Sequence, residues 1–150
     1  MARSNRKIRN VPAISFGSGN IHGHVSFDRL KGNMDTAQWW LGEQVLADCK
    51  PYMPFRSGNM TQNSKTEDNG RKVVFPGPYA HFQYVGLVMV DPDTGSPWAQ
   101  EGAHKVYTNR RLQYTTQFNP KATHHWFEAA KAQHGSYWVG RVKQIIGGKG

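Results

Sequence analysis

An α+β domain is the fold class that this sequence predicts, on three observations. Ile21, Gly23, Val25 and Phe27 fall on one side of a period-two alternation, as in a half-buried strand. From Met34 to Cys49 the apolar positions recur at three and four, as on one face of a helix. Short strand-like runs then return before a second helical segment near residue 120. With 150 residues the chain is long enough for one domain with a real core and short for two. The expected organisation is a basic N-terminal arm over 1–19, one domain over 20–140 and a basic, Gly-rich tail over 141–150.

Taken in order, residues 11–20 are turn-rich and 20–28 form the first strand. The first helix is expected over 33–50, with Asn33 as N-cap, Asp35 in the first turn and Pro51 ending it. Trp39 and Trp40 flank its apolar stripe, which places one in the core and leaves the other for a contact. Residues 62–70 contain no apolar member and read as a mobile loop. A short strand follows over 71–75. After the Pro76–Gly77–Pro78 turn, the segment to Val90 is read as a strand or as a helical turn leading into one. Residues 91–102 form a long turn-forming insertion with Trp98 exposed, and 104–108 and 110–118 read as strands. The second helix is expected to begin with Asn119 as cap and Pro120 at the first helical position, and to stop at Gly135. One or two further helical turns fit before the Gly-rich end. There is no internal repeat.

The net charge of +9 is unevenly placed. Residues 1–31 carry six Lys or Arg against one acid and residues 121–150 five against one, whereas 32–120 carry eight of each. The excess therefore belongs to the two ends, with Arg3, Arg6, Lys7 and Arg9 at one and Arg141 and Lys143 at the other. A solvated tail is the ordinary meaning of such runs; the functional one is an arm that meets phosphate or an acidic protein surface. No aromatic precedes Phe16, so the base-stacking residues of a dedicated nucleic-acid groove are missing from the N-terminal run.

Chemistry-bearing constellations are sparse. Cys49 is the sole cysteine, without a nearby base, and is expected to pack as a small hydrophobe. His22 and His24 share a strand face, yet two histidines fall short of the three or four ligands of a zinc site. His124, His125 and Glu128 lie within one helical turn, but the further acids, histidines or paired cysteines of a metal nuclease are not there. Neither standard phosphate loop occurs. No catalytic residue, metal or cofactor is expected. The apolar runs are only a few residues long, and the basic start is not followed by the apolar stretch of a secretory signal, so neither a spanning helix nor export is expected.

Three stretches carry a resemblance. In the first, a helix runs into a proline-containing turn in which Pro54 is followed by Phe55, the Ser57–Gly58 pair, Asn59 and Met60, with Ser64 closing it. The second is Tyr79–Ala80–His81–Phe82–Gln83–Tyr84–Val85–Gly86, a Tyr-Ala, aromatic, Gln-Tyr and Gly pattern into which His81 intrudes. The third is a late helix with Pro120, Ala122, Thr123, Trp126, Phe127, Ala130 and Lys131. In this order, over roughly residues 20–140, the sequence resembles the small minor capsid proteins of tailed bacteriophages, and more broadly their head-to-tail joining and tail-completion proteins.

The resemblance implies a small, twisted, mainly antiparallel sheet with two or three helices packed on it and extended arms at both ends. It also implies a non-enzymatic virion protein assembled as a closed ring in the neck around the DNA path. Its partners would be copies of itself, a portal-side adaptor or stopper, and a tail terminator or tail tube. Non-specific contact with packaged DNA is a further partner, and no membrane is involved. Pro54, Ser57, Gly58, Asn59, Met60 and Ser64 are then a structural turn. Gly58 and Asn59 would tolerate positive φ, and Met60 would point to the core. Trp98, Tyr79, Phe82, Tyr84 and Trp126 are candidate interface residues, with the loops 62–70 and 91–102 beside them. Two other readings are a non-specific nucleic-acid-binding protein, which would explain the charge, and a capsid decoration protein, which would be present at higher copy number. A nuclease of the packaging or injection apparatus would explain the histidines and would need metal-dependent cleavage through His124 or His125.

Overall fold

The computed structural model describes residues 14–18, 21–25, 28–77 and 79–148. In chain order the elements are β1 (Ile14–Ser18), β2 (Ile21–Val25), α1 (Asp28–Cys49), α2 (Asn59–Asn63), β3 (Lys65–Glu67), β4 (Lys72–Val74), α3 (Ala80–Val85), β5 (Leu87–Val90), β6 (Val106–Arg111) and α4 (Trp126–Ile146). The fold is α+β. Among the described residues its strands form three separate two-stranded antiparallel ladders, β1–β2, β3–β4 and β5–β6, in place of one continuous sheet, with two long helices and two short ones. Among the described residues the chain divides into two compact units, one within 1–47, 65–74 and 133–150 and the other within 48–64 and 75–132.

In the first unit α1 begins at Asp28, five residues before the expected cap. Asn33 is inside the helix, and its amide donates to the Ile146 carbonyl at 3.1 Å. The Thr36 hydroxyl bonds back one turn to the Gly32 carbonyl at 2.9 Å, which fits a helix already formed at Gly32. The segment expected as a mobile loop is largely ordered: its residues 65–67 form β3, and the turn to β4 is held against α1 by polar groups. Gln38 Nε2 donates to the Asn69 carbonyl at 3.1 Å and Asn69 Nδ2 to the Asp35 carbonyl at 3.0 Å. The Thr66 hydroxyl donates to the Glu43 carboxylate. Gly42 and Gly70 permit the approach, because a Cβ on Gly42 would lie 2.5 Å from the Gly70 Cα. Trp40 and Trp39 are both half-buried, and Trp40 meets Tyr137 edge-on with centroids 5.9 Å apart.

In the second unit Pro51 falls in a single 3-10 turn, Lys50–Tyr52, that follows α1. Cys49, Tyr52, Met53, Ala80, Val90, Trp126 and Ala130 are buried. Trp126 is fully enclosed, with Phe75 and Tyr84 edge-on to it at 5.5 and 4.7 Å. β6 pairs with β5 through a bulge between Leu87 and Met89 and ends at Arg111, so the strand expected over 110–118 is mostly irregular.

The late helix also differs from expectation at both ends. Asn119 does not cap it; the side-chain amide instead donates to the Lys50 and Met53 carbonyls at 3.2 and 2.9 Å. His125 has φ 48°, which is incompatible with helix continuation, and α4 starts at the next residue. Gly135 does not stop it, because buried Trp126, Ala130, Trp138 and Ile145 continue the helical spacing past that point. Helix therefore extends to Ile146, six residues into the segment expected as tail.

Candidate functional site

The proline turn of the sequence is a bend after α1 that feeds the short helix α2. Gly58 has φ 76°, which favours glycine, and a Cβ there would lie 2.9 Å from the far end of the Phe55 ring, which would have to shift. Asn59 is the first residue of α2 and needs no positive φ, contrary to expectation. Ser64 is buried and closes α2, its hydroxyl donating to the Met60 carbonyl at 2.6 Å. Met60 is half-buried, short of the core position expected for it. Phe55 packs on Phe118 with centroids 5.1 Å apart.

α3 carries the second signature. Gly86 ends it with φ 73°, and its carbonyl accepts from Leu112 N–H at 2.9 Å. A Cβ at Gly86 would stand 2.4 Å from the His124 Cβ and 2.9 Å from the Tyr114 hydroxyl oxygen. Tyr114 in turn donates to the Gln83 carbonyl at 2.6 Å, which ties the segment after β6 to α3.

Between these pieces lies an open cleft of about 800 Å³. The bend Pro54–Met60 forms one wall, Pro76 to Gln83 another, and Gln113, Tyr114 and Thr115 close it. Phe55, Tyr79 and Phe82 give it aromatic surface; Gln83, Gln113, Ser57 and Thr115 give amides and hydroxyls; Arg56 is its one ionised side chain among the described residues. Volume and lining fall in the range of binding clefts, about 300–1,000 Å³. Two of the three sequence signatures thus meet in one concave surface.

Beside it is a polar cluster. Arg111 Nη1 lies 3.0 Å from His124 Nε2, and His124 Nδ1 lies 2.7 Å from His125 Nδ1. The His125 ring leans on Tyr84, whose hydroxyl donates to Glu128. Burial, then Arg111 and His125, lower the His124 pKa, because each disfavours an imidazolium. The hydrogen bond from Tyr84 lowers that of Glu128, while burial and the same bond raise that of Tyr84. Burial and the neighbouring Asp48 and Glu128 push the Cys49 thiol up to about 12, so it is an inert packing group at neutral pH. Among the described residues no three His, Cys, Asp or Glu side chains are grouped to hold a metal. His22 and His24 pair through the backbone with Gly17 and Ser15.

The candidate interface residues separate. Trp98 is 86% exposed and Tyr79 71%. Phe82 is half-buried in the cleft wall, and Tyr84 is half-buried against Trp126. Trp126 is at 0% exposure and is a core residue, which removes it as an interface candidate. Arg3, Arg6, Lys7 and Arg9 lie outside the described residues. Arg141 and Lys143 sit on α4, not in a tail; Arg141 bonds to Gln144 and Lys143 is exposed, and a spacing of two points them to different faces. The sequence reading missed exposed Phe118 and the lining residues Arg56, Gln113 and Tyr114. Their proximity depends on long-range packing, and no local pattern signals it.

A family model described as minor capsid protein matches residues 18–145. Searches of curated proteins and of solved structures found no match. Among the described residues no helix is long and apolar enough to cross a membrane.

Proposed function

Because the chain belongs to the minor capsid protein family and is thereby a structural component of the virion, we propose that it forms a ring at the phage neck, joining the head-side complex to the tail around the DNA path. The observation that carries this reading is that one unit presents two unlike surfaces, the cleft with Arg56 and Tyr79 and the exposed loop bearing Trp98. A closed ring is built from heterologous contacts, in which one face of each subunit meets a different face of the next.

The role is one of assembly, not catalysis, and the histidine cluster is read as part of the packing. The basic N-terminal arm reaches a neighbouring neck protein or the DNA. Quantitative mass spectrometry of gradient-purified virions tests the reading through the copy number relative to the portal subunit. A ratio near one ring per portal is expected. A shell-scale ratio would make it a decoration protein, and absence from the particle would sink the structural role.

A further inference from the structure

We infer that the Trp98 loop of one copy seats in the cleft of a neighbouring copy, so that a protruding indole and its acidic loop form the subunit-to-subunit contact. This rests on the reading that the chain assembles head-to-tail with itself. The loop is built to present its indole. Asp91 is buried at its base and accepts from the backbone N–H groups of Asp93 and Thr94 at 2.8 and 3.3 Å. Ser96 Oγ accepts from Trp98 N–H at 3.1 Å, and Lys105 Nζ donates to the Pro97 carbonyl at 2.6 Å. The backbone beneath Trp98 is thus braced on both sides while its side chain stays in water. A rigid aromatic on a braced loop loses little conformational entropy on binding, which favours it as an anchor.

The cleft has complementary features. Its aromatic residues can cover an indole, which buries about 150–250 Å² when enclosed, and the volume of about 800 Å³ admits it together with flanking backbone. Charge selects the same occupant. Residues 91–102 contain Asp91, Asp93 and Glu101, three acids against the one cation held on the loop, Lys105 at the Pro97 carbonyl, whereas among the described residues Arg56 is the one ionised group lining the cleft. With Asp91 used within its own turn, exposed Asp93 and Glu101 remain for Arg56. Gln83 and Gln113 offer amides to the loop backbone.

The test places a photoreactive benzoyl-phenylalanine at position 98 of the full chain and irradiates a mixture of unlabelled and 15N-labelled protein, both purified and in virions. Expected are mixed-isotope dimers linked to residues 54–60, 79–83 or 113–115. Trp98→Ala should raise the subunit dissociation constant about thirtyfold or more, as loss of an anchor does. Its urea midpoint, measured at a concentration where wild type and variant are both monomeric, should not move, since the side chain is already exposed. Arg56→Glu and Glu101→Arg should each weaken association, and together restore it. Assembly at wild-type affinity by Trp98→Ala, or cross-links only within one chain or to another virion protein, overturns the proposal and leaves the ring standing. A single copy per particle, with no self-association in solution, overturns both.

Discussion

At the scale of single residues, glycine identity divides into positions that need conformation alone and positions that also need space. Gly86 and Gly95 both have positive φ, but a Cβ at Gly86 would strike His124 and Tyr114, while at Gly95 it meets nothing within 4 Å. Gly86→Ala should therefore cost about 2–4 kcal/mol, combining left-handed strain with overpacking. Gly95→Ala should cost only about 1–2 kcal/mol. Urea unfolding of the two variants checks the ordering, and equal losses would mean that the contact at Gly86 relaxes freely. His124 yields a pH dependence of defined sign. Its pKa is lowered in the folded chain, so the unfolded state takes up the proton first. The stability it contributes is complete above its ordinary value of 6.5 and is lost as pH falls from there toward the lowered value. The Arg111 contact at 3.0 Å supports this direction, since the guanidinium can only donate, His124 Nε2 must accept, and the proton that His124 would take up removes that acceptor. Thermal melts from pH 7.5 downward should show a loss that His124→Gln flattens relative to wild type; parallel curves would assign the loss to other groups.

At the scale of elements, the strength of a local pattern determined what was legible. The central part of α1 has a sustained apolar period and was readable, as were β4 and the α3-to-β5 step. The β3–β4 hairpin was not, because "QNSKTEDNG" has no apolar side chain and its order comes from amides of Asn69 and Gln38 bonded across to α1. The ends of α4 were misread for the same reason: Asn119–Pro120 is a local start signal, but Asn119 is claimed by carbonyls nearly 70 positions earlier. Of the candidate site, the proline turn and the Tyr79–Gly86 stretch could be identified from sequence, whereas the cleft joining them required Gln113 to Thr115 from a segment without a motif. Gly140 marks a remaining conflict between propensity and structure. It lies on an exposed position inside α4, and a Cβ there meets nothing within 4 Å. Gly140→Ala should stabilise the isolated chain by about 0.5–1 kcal/mol through helix propensity. A higher Tm on scanning calorimetry checks this. A lower Tm in the assembled state alone would mean that another chain passes close to the helix at that point.

At the scale of the whole molecule, charge and structure are partitioned differently. The segment 32–120 is electrically balanced and holds the cleft, the Trp98 loop and, among the described residues, three of the four α-helices in whole or in large part, while both ends carry the excess. Contact with DNA, where the assembly makes it, should then be a property of the two ends of the sequence, the N-terminal run and the basic residues of α4. Counterion release puts a scale on that statement: each phosphate neutralised on duplex DNA contributes about 0.9 to the slope of log K against log salt. Arg3, Arg6, Lys7 and Arg9 together could supply a slope of about 3.6. Removing residues 1–10 should therefore lower the measured slope for duplex DNA by roughly 3–4. Fluorescence anisotropy between about 50 and 200 mM salt resolves such a change, since four contacts correspond to more than a hundredfold difference in affinity over that range. An unchanged slope would assign the N-terminal arm to a protein neighbour, and the acidic surface it meets would then belong to the next component of the virion.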